Sequence, residues 1–129
     1  MLRTLLALPL LITACQGDET TSAYADPTAI YQLKEIDGKP FNATATLQFP
    51  EPGRITGEAP CNRFSGAQPL PYPWFKADAI AMTKRACPDL AQESLFVSTL
   101  SQMTLVEVSG ATLILSTEGG RQMVFVAQE

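Results

Sequence analysis

From residue 29 onward, apolar and polar positions alternate in short runs separated by turn-forming residues. Ala29–Ile36 (AIYQLKEI) alternates and stops at Asp37-Gly38, a dipeptide suited to tight hairpin turns. In Ala43–Phe49, residues Ala43, Ala45, Leu47 and Phe49 fall on one face and Thr44, Thr46 and Gln48 on the other, the period-two signature of a half-buried strand. Pro50-Glu51-Pro52-Gly53 breaks this run, and Arg54–Glu58 resumes before Pro60. Arg63–Gln68 and Trp74–Ile80 read as further strands, with Pro69, Pro71 and Pro73 confined to positions outside a central strand or on an edge. Thr104–Val108, Ala111–Ser116 and Gln122–Ala127 follow as two hairpins, turning at Ser109-Gly110 and Glu118-Gly119-Gly120.

The period changes once, between Pro88 and Met103, where a helix is expected. Pro88 suits a first helical turn, and Asp89 and Glu93 sit near the electropositive end. Phe96, Leu100 and Met103 form an i, i+4, i+7 apolar stripe, with Leu90 and Val97 beside it. Seven or so strands and one helix predict an α+β fold, a mostly antiparallel, strongly curved sheet closed over the helix.

The N-terminal pattern is different. Arg3 precedes an apolar run from Leu5 to Ile12, interrupted only by Pro9, too short for the ~20 apolar residues that span a bilayer and of the size of an export signal. Ile12-Thr13-Ala14-Cys15 resembles the bacterial lipobox, in which the cysteine is acylated and becomes the mature N-terminus. Ala23-Tyr24-Ala25 offers a competing A-x-A cleavage site, which would give a freely secreted form, and an uncleaved signal anchor is a third possibility. The favoured division is a signal peptide over 1–14, a lipidated Cys15 with a flexible tether over 15–28, and one domain over 29–129. The polar stretch Gln16–Pro27 has no periodicity, and as a flexible chain its twelve residues reach roughly 19 Å. Gln16 after the cysteine, rather than Asp, favours the outer membrane under enteric-type sorting. The expected location is the cell envelope, facing the periplasm.

Composition narrows the function. Hydrophobic residues at 46% and charged residues at 17% exclude a disordered chain. One of the nine basic residues and none of the thirteen acidic ones precede Cys15, so a chain beginning there carries a formal charge of −5, against −4 for the whole. With Lys84-Arg85 its longest basic run, the chain is not expected to bind nucleic acid or an anionic surface by charge. The sequence has no histidine, which removes Ser–His and Cys–His nucleophile pairs and most zinc sites. With no glycine-rich phosphate loop, no metal cluster and no paired-carboxylate spacing, neither a cofactor nor a catalytic activity is expected.

Three cysteines become two once Cys15 is acylated. Cys61 and Cys87 would then be expected to form a structural disulfide in an oxidising envelope, worth about 3–4 kcal/mol in the chain-entropy model. Two buried free thiols, or a redox or metal pair, are the alternatives.

These residues resemble the META domain of HslJ-like bacterial lipoproteins. The resemblance rests on Ile55-Thr56-Gly57, then Cys61-Asn62-Arg63-Phe64-Ser65-Gly66, then Ala81-Met82-Thr83-Lys84-Arg85-Ala86-Cys87-Pro88, then Glu93. Tyr31–Pro40 is similar to the family's first strand and turn, and the likeness covers about residues 29–127. Lys84 stands where the family usually has Arg, and the Pro69–Pro73 segment is idiosyncratic. The resemblance implies a cracked β-barrel with one helix packed across its opening, no enzymatic activity, and loosely defined envelope and stress associations.

Asn62 and Arg63 could recognise a ligand carboxylate or a partner backbone, but a structural role is the stronger reading: Asn suits turns, Phe64 fills core and Gly66 permits close approach. Glu93, on the stripe side of the helix, must be paired if buried, and Arg63 is its natural partner in a clamp. A surface site near the helix start or a role as general base are its other readings, the latter shared with Asp78. Asn42-Ala43-Thr44 matches a glycosylation sequon by coincidence in such a protein. Trp74-Phe75 is either an exposed recognition patch or rim packing, the second preferred. The leading function is a membrane-anchored binding or scaffolding module for another envelope protein. The alternative is a carrier holding an acyl chain between helix and barrel, and open or filled space there separates the two.

Overall fold

The computed structural model describes residues 19–129, together with residues 7, 9 and 17. Nine strands and one α-helix are found among the described residues. Strands β1 (Tyr31–Ile36) and β2 (Lys39–Pro40) form a hairpin across Asp37-Gly38, whose φ angles of 50° and 77° are the left-handed values its two-residue turn requires. Strand β3 (Thr46–Leu47) pairs with β1, and β7 (Leu105–Ser109), β8 (Thr112–Ser116) and β9 (Gln122–Ala127) complete a six-stranded antiparallel sheet of order β2-β1-β9-β8-β7. A second sheet holds β4 (Arg54–Glu58), β5 (Arg63–Ala67) and β6 (Asp78–Met82) in that order. Gln48 and Thr56 exchange backbone hydrogen bonds of 2.8 and 3.1 Å, which links β3 to β4 and so joins the two sheets. The architecture is α+β and antiparallel, as expected, and the sheets remain open.

In β1 the alternation slips. Leu33 lies opposite Phe125 but Glu35 lies opposite Val124, so Lys34 is an extra residue, and Tyr31, Leu33 and Ile36 all point into the core despite their mixed spacing. Leu113, Leu115, Met123 and Phe125 of the terminal hairpin face the same core, together with Ala45, Leu47, Phe49 and Ile55.

Helix α1 (Leu90–Leu100) is shorter than the expected 88–103. Pro88 and Asp89 form a turn before it, and Met103, though buried, lies past its end. Its inward stripe is Glu93, Phe96, Thr99 and Leu100, whereas Leu90, at the open first turn, is 46% exposed. Phe96 packs against Phe64 of β5 at 5.7 Å between ring centroids and against Phe41 at 6.4 Å, so aromatic rings occupy the space between helix and sheets.

Two expectations need correction. Trp74–Ile80 is not one strand, because its start and end pair with different partners: Trp74 bridges to Leu105 and the Phe75 N–H donates to the Thr104 carbonyl at 2.9 Å, whereas β6 begins at Asp78 and pairs with β5. The segment read as a flexible tether is seated on the domain from Glu19 onward. Thr21–Ala23 makes a 3₁₀ turn, Thr21 and Ala25 are buried, and the Tyr72 N–H donates to the Glu19 carbonyl at 2.7 Å.

Candidate functional site

The residues singled out in the sequence converge where the end of β4, the start of β5, the end of β6 and the first turn of α1 meet. Cys61 and Cys87 are joined in a disulfide with Cα atoms 5.5 Å apart. The loop before β5 turns back on itself, with the Ala59 N–H donating to the Asn62 carbonyl at 2.7 Å. That turn aims the Asn62 side chain inward, where it is buried. Asn62 Nδ2 donates to the Arg85 carbonyl at 2.9 Å and to Glu93 Oε2 at 2.7 Å. Asn62 Oδ1 accepts from the Arg85 N–H at 2.6 Å and from Thr83 Oγ1 at 3.0 Å. A primary amide has two donors and two acceptor lone pairs, and all four are used here. Asn62 therefore ties the Thr83–Arg85 segment to the helix and has no capacity left for a ligand.

Glu93 is buried and its other oxygen, Oε1, accepts the Cys61 N–H at 3.0 Å. Two N–H donors and the electropositive first turn of the helix offset the cost of burying a carboxylate. The expected partner is different: Arg63 lies on the exposed face of β5, and the described residues contain two ion pairs, Arg54–Glu51 and Arg121–Asp37, neither involving Arg63. Period-two alternation is the reason, because Phe64 points into the core and its neighbour on the strand must point out. The Arg63 backbone contributes instead, its N–H donating to Thr83 Oγ1 at 3.1 Å.

Above this cluster Glu58, Pro60, Arg63, Thr83 and Arg85 border an open polar depression of about 350 Å³. Asp78, the other candidate base, is exposed and accepts the N–H of its neighbour Ala79 at 3.1 Å, a contact local to the start of β6. No group of three or more metal-ligating side chains occurs among the described residues. Cys15 lies outside the described residues.

Two sites were not anticipated. Gln68 is buried and saturated like Asn62: Nε2 donates to Thr21 Oγ1 at 2.9 Å and to the Leu70 carbonyl at 3.1 Å, while Oε1 accepts from the Leu70 and Lys76 N–H groups at 3.0 and 3.3 Å. It fastens the N-terminal segment and the proline-rich loop to β5. Arg121 donates through Nε and Nη2 to Asp37 Oδ2 at 3.1 and 2.9 Å, and through Nη1 to Gln102 Oε1 at 2.8 Å. The Asp37 carboxyl is held below its ordinary value of 3.8, first by the Gln122 N–H and then by Arg121. The signal for Thr83 was present in the Met82-Thr83 motif, whereas nothing local marks Gln68.

Fold and site together define a class: an open antiparallel α+β domain in which a disulfide-tied asparagine loop is locked to a single helix. The chain belongs to the META domain family, whose model matches residues 27–129. A protein structure solved by NMR is 26% identical, covering 78% of this chain and 90% of that one with a TM-score of 0.58. An NMR structure of a protein from Burkholderia xenovorans, 18% identical, covers 99% of both chains with a TM-score of 0.61 and shares the fold. No curated protein matches the sequence.

Proposed function

We propose that this chain is an exported envelope lipoprotein, anchored through Cys15, whose META domain is a non-catalytic binding or scaffolding module. The observation that carries the reading is the full internal use of the motif. Asn62 and Glu93 satisfy each other and the surrounding backbone, so the residues with the most chemical potential hold the loop in shape. What the loop presents outward is Arg63, Lys84 and Arg85, on a chain that is otherwise acidic. Exposed guanidinium groups on a rigid rim suit the carboxylates or backbone carbonyls of a protein partner. An acyl-chain carrier would need an enclosed apolar cavity under the helix; Phe41 and Phe64 pack there on Phe96, and the depression of about 360 Å³ beside Gln92 and Leu95 is edged by the charged Asp37, Lys39 and Arg121. The lipobox-like Ile12–Cys15 supports an envelope location, and Gln16 after the cysteine favours the outer membrane.

Two measurements test the halves of this reading. Intact mass of the protein from cell envelopes is expected to show loss of residues 1–14 and an acyl increment, and a mature chain beginning at Asp26 would overturn the anchor. A photo-crosslinking residue placed at Arg63 or Arg85 in cells is expected to give a discrete protein adduct. Adducts only from positions on the opposite sheet, such as Glu107, would remove the rim from the reading.

A further inference from the structure

We infer that the docked N-terminal segment and the proline-bracketed loop Pro69–Trp74 form the membrane-facing surface of the protein, with Tyr24 and Trp74 seated among zwitterionic lipid headgroups and the half-buried Tyr72 stacked on Tyr24. The inference rests on the lipoprotein reading above and adds an orientation to it. Its basis is a length. Since Glu19 is already held against Tyr72, only four Cα steps separate the domain from Cys15. Four fully extended residues span at most about 14 Å, less than the roughly 19 Å a free tether from Gln16 to Pro27 would reach. An acylated Cys15 therefore brings the Glu19–Tyr72 end of the domain to the bilayer surface.

That end carries the side chains such a surface needs. Tyr24 stacks on Tyr72 with ring centroids 4.1 Å apart and planes 17° from parallel, and Tyr24 is still 54% exposed. Trp74, 48% exposed, follows Tyr72 by two residues, so their Cα atoms are within about 7 Å. The Tyr72 side chain and the Trp74 backbone are both tied down. The Tyr72 hydroxyl accepts the Val108 N–H at 3.1 Å, the Trp74 N–H closes a turn on the Pro71 carbonyl at 2.8 Å, and Trp74 bridges to Leu105. Beside Trp74, Leu70, Phe75 and Met103 line an open, largely apolar depression of about 590 Å³, with Lys76 and Glu118 at its edge. Tyr and Trp, amphipathic and rigid, are the side chains that settle at the headgroup level. The acids near this end, Glu19 and Glu118, and the overall negative charge favour phosphatidylethanolamine or phosphatidylcholine over an anionic surface.

Trp74 is the chain's one tryptophan, so its emission reports this surface alone. The mature full-length protein is reconstituted in vesicles of phosphatidylethanolamine and phosphatidylcholine, with and without bromine on the upper acyl methylenes, after its mass is recorded. Acylated protein that floats with the vesicles is expected to emit at shorter wavelength than in detergent-free buffer and to lose most of its emission to brominated lipid. Tyr24→Ser is expected to lessen that quenching without affecting flotation. Acylated protein that floats with Trp74 unquenched and water-exposed would overturn the orientation while leaving the anchor, and would make this surface a protein contact. Protein that bears no acyl mass and does not float would overturn the anchor, and the orientation with it.

Discussion

Asn62 Nδ2 donates to Glu93 Oε2 at 2.7 Å, a bond between the loop that opens β5 and the first turn of the helix, thirty-one residues apart in the chain. Next to it Cys61 supplies both the disulfide and the Cys61 N–H···Glu93 bond of 3.0 Å. The disulfide supplies a covalent tie between the loop and the segment leading into the helix. The amide and carboxylate, with the Phe64–Phe96 packing, fix how the two are oriented.

Because both partners are buried, deletion of either leaves a polar group short of a bond. Asn62→Ala strands the Arg85 backbone groups and one Glu93 oxygen, and should cost roughly 3 kcal/mol. Glu93→Ala should cost about 2–3 kcal/mol, and the double mutant less than the sum by about 1.5–3 kcal/mol. Arg63→Ala, on the exposed face, should stay within about 0.5 kcal/mol of the parent. Urea melts of the four variants measure these values. An Arg63→Ala loss as large as that of Asn62→Ala would reinstate Arg63 as the partner of Glu93.

Gly57 has no room for a methyl group. A Cβ there would meet the Thr46 carbonyl oxygen and come within 2.6 Å of the Phe64 ring, which itself packs on Phe96. Neither the backbone of β3 nor a ring fixed against the helix can move aside. Gly57→Ala should therefore cost at least the ~1–3 kcal/mol typical of overpacking. Gly38→Ala, at φ +77° but with open space around it, should lose only the ~1 kcal/mol of an unfavourable backbone conformation. Thermal or urea midpoints that rank the two in the opposite order would show that the β3–β4 contact yields more easily than the structure implies.

Much of this was legible because it depends on local rules. Period two located β4, β5 and the β7–β9 hairpins, and it contained enough to place Arg63: once Phe64 is assigned to the core, its strand neighbour faces water. The attraction between opposite charges was given more weight than that alternation, and an amide proved the better partner for a carboxylate in a site that also had to bind backbone. The helix ends were less legible, since Pro88-Asp89 makes a turn before the helix rather than its first residues. Gln68 and Thr21, forty-seven residues apart, carry no periodicity or pairing pattern, so the docking of the N-terminal segment could be seen only in three dimensions.

The clasp at the other end of the helix should make stability depend on acid. Asp37 receives the Gln122 N–H at 2.9 Å and two N–H groups of Arg121, and these hold its carboxyl below the ordinary 3.8. A carboxylate whose pKa is lower folded than unfolded contributes stability above the unfolded value and loses it as pH falls through the folded one. Asn is the appropriate replacement because the residue has φ +50°, a left-handed conformation that Asn tolerates. The gap in urea midpoint between the parent and Asp37→Asn should be constant above about pH 5, where the unfolded carboxyl is ionised. It should narrow through the carboxylate range and be smallest below the folded value. Raising the salt concentration at neutral pH should shrink the same gap, since the Arg121–Asp37 pair is part-exposed. Midpoints followed from neutral pH into acid, in low and high salt, check both statements. A gap unchanged over that whole pH range would mean that Asp37 contributes through its turn geometry and not its charge.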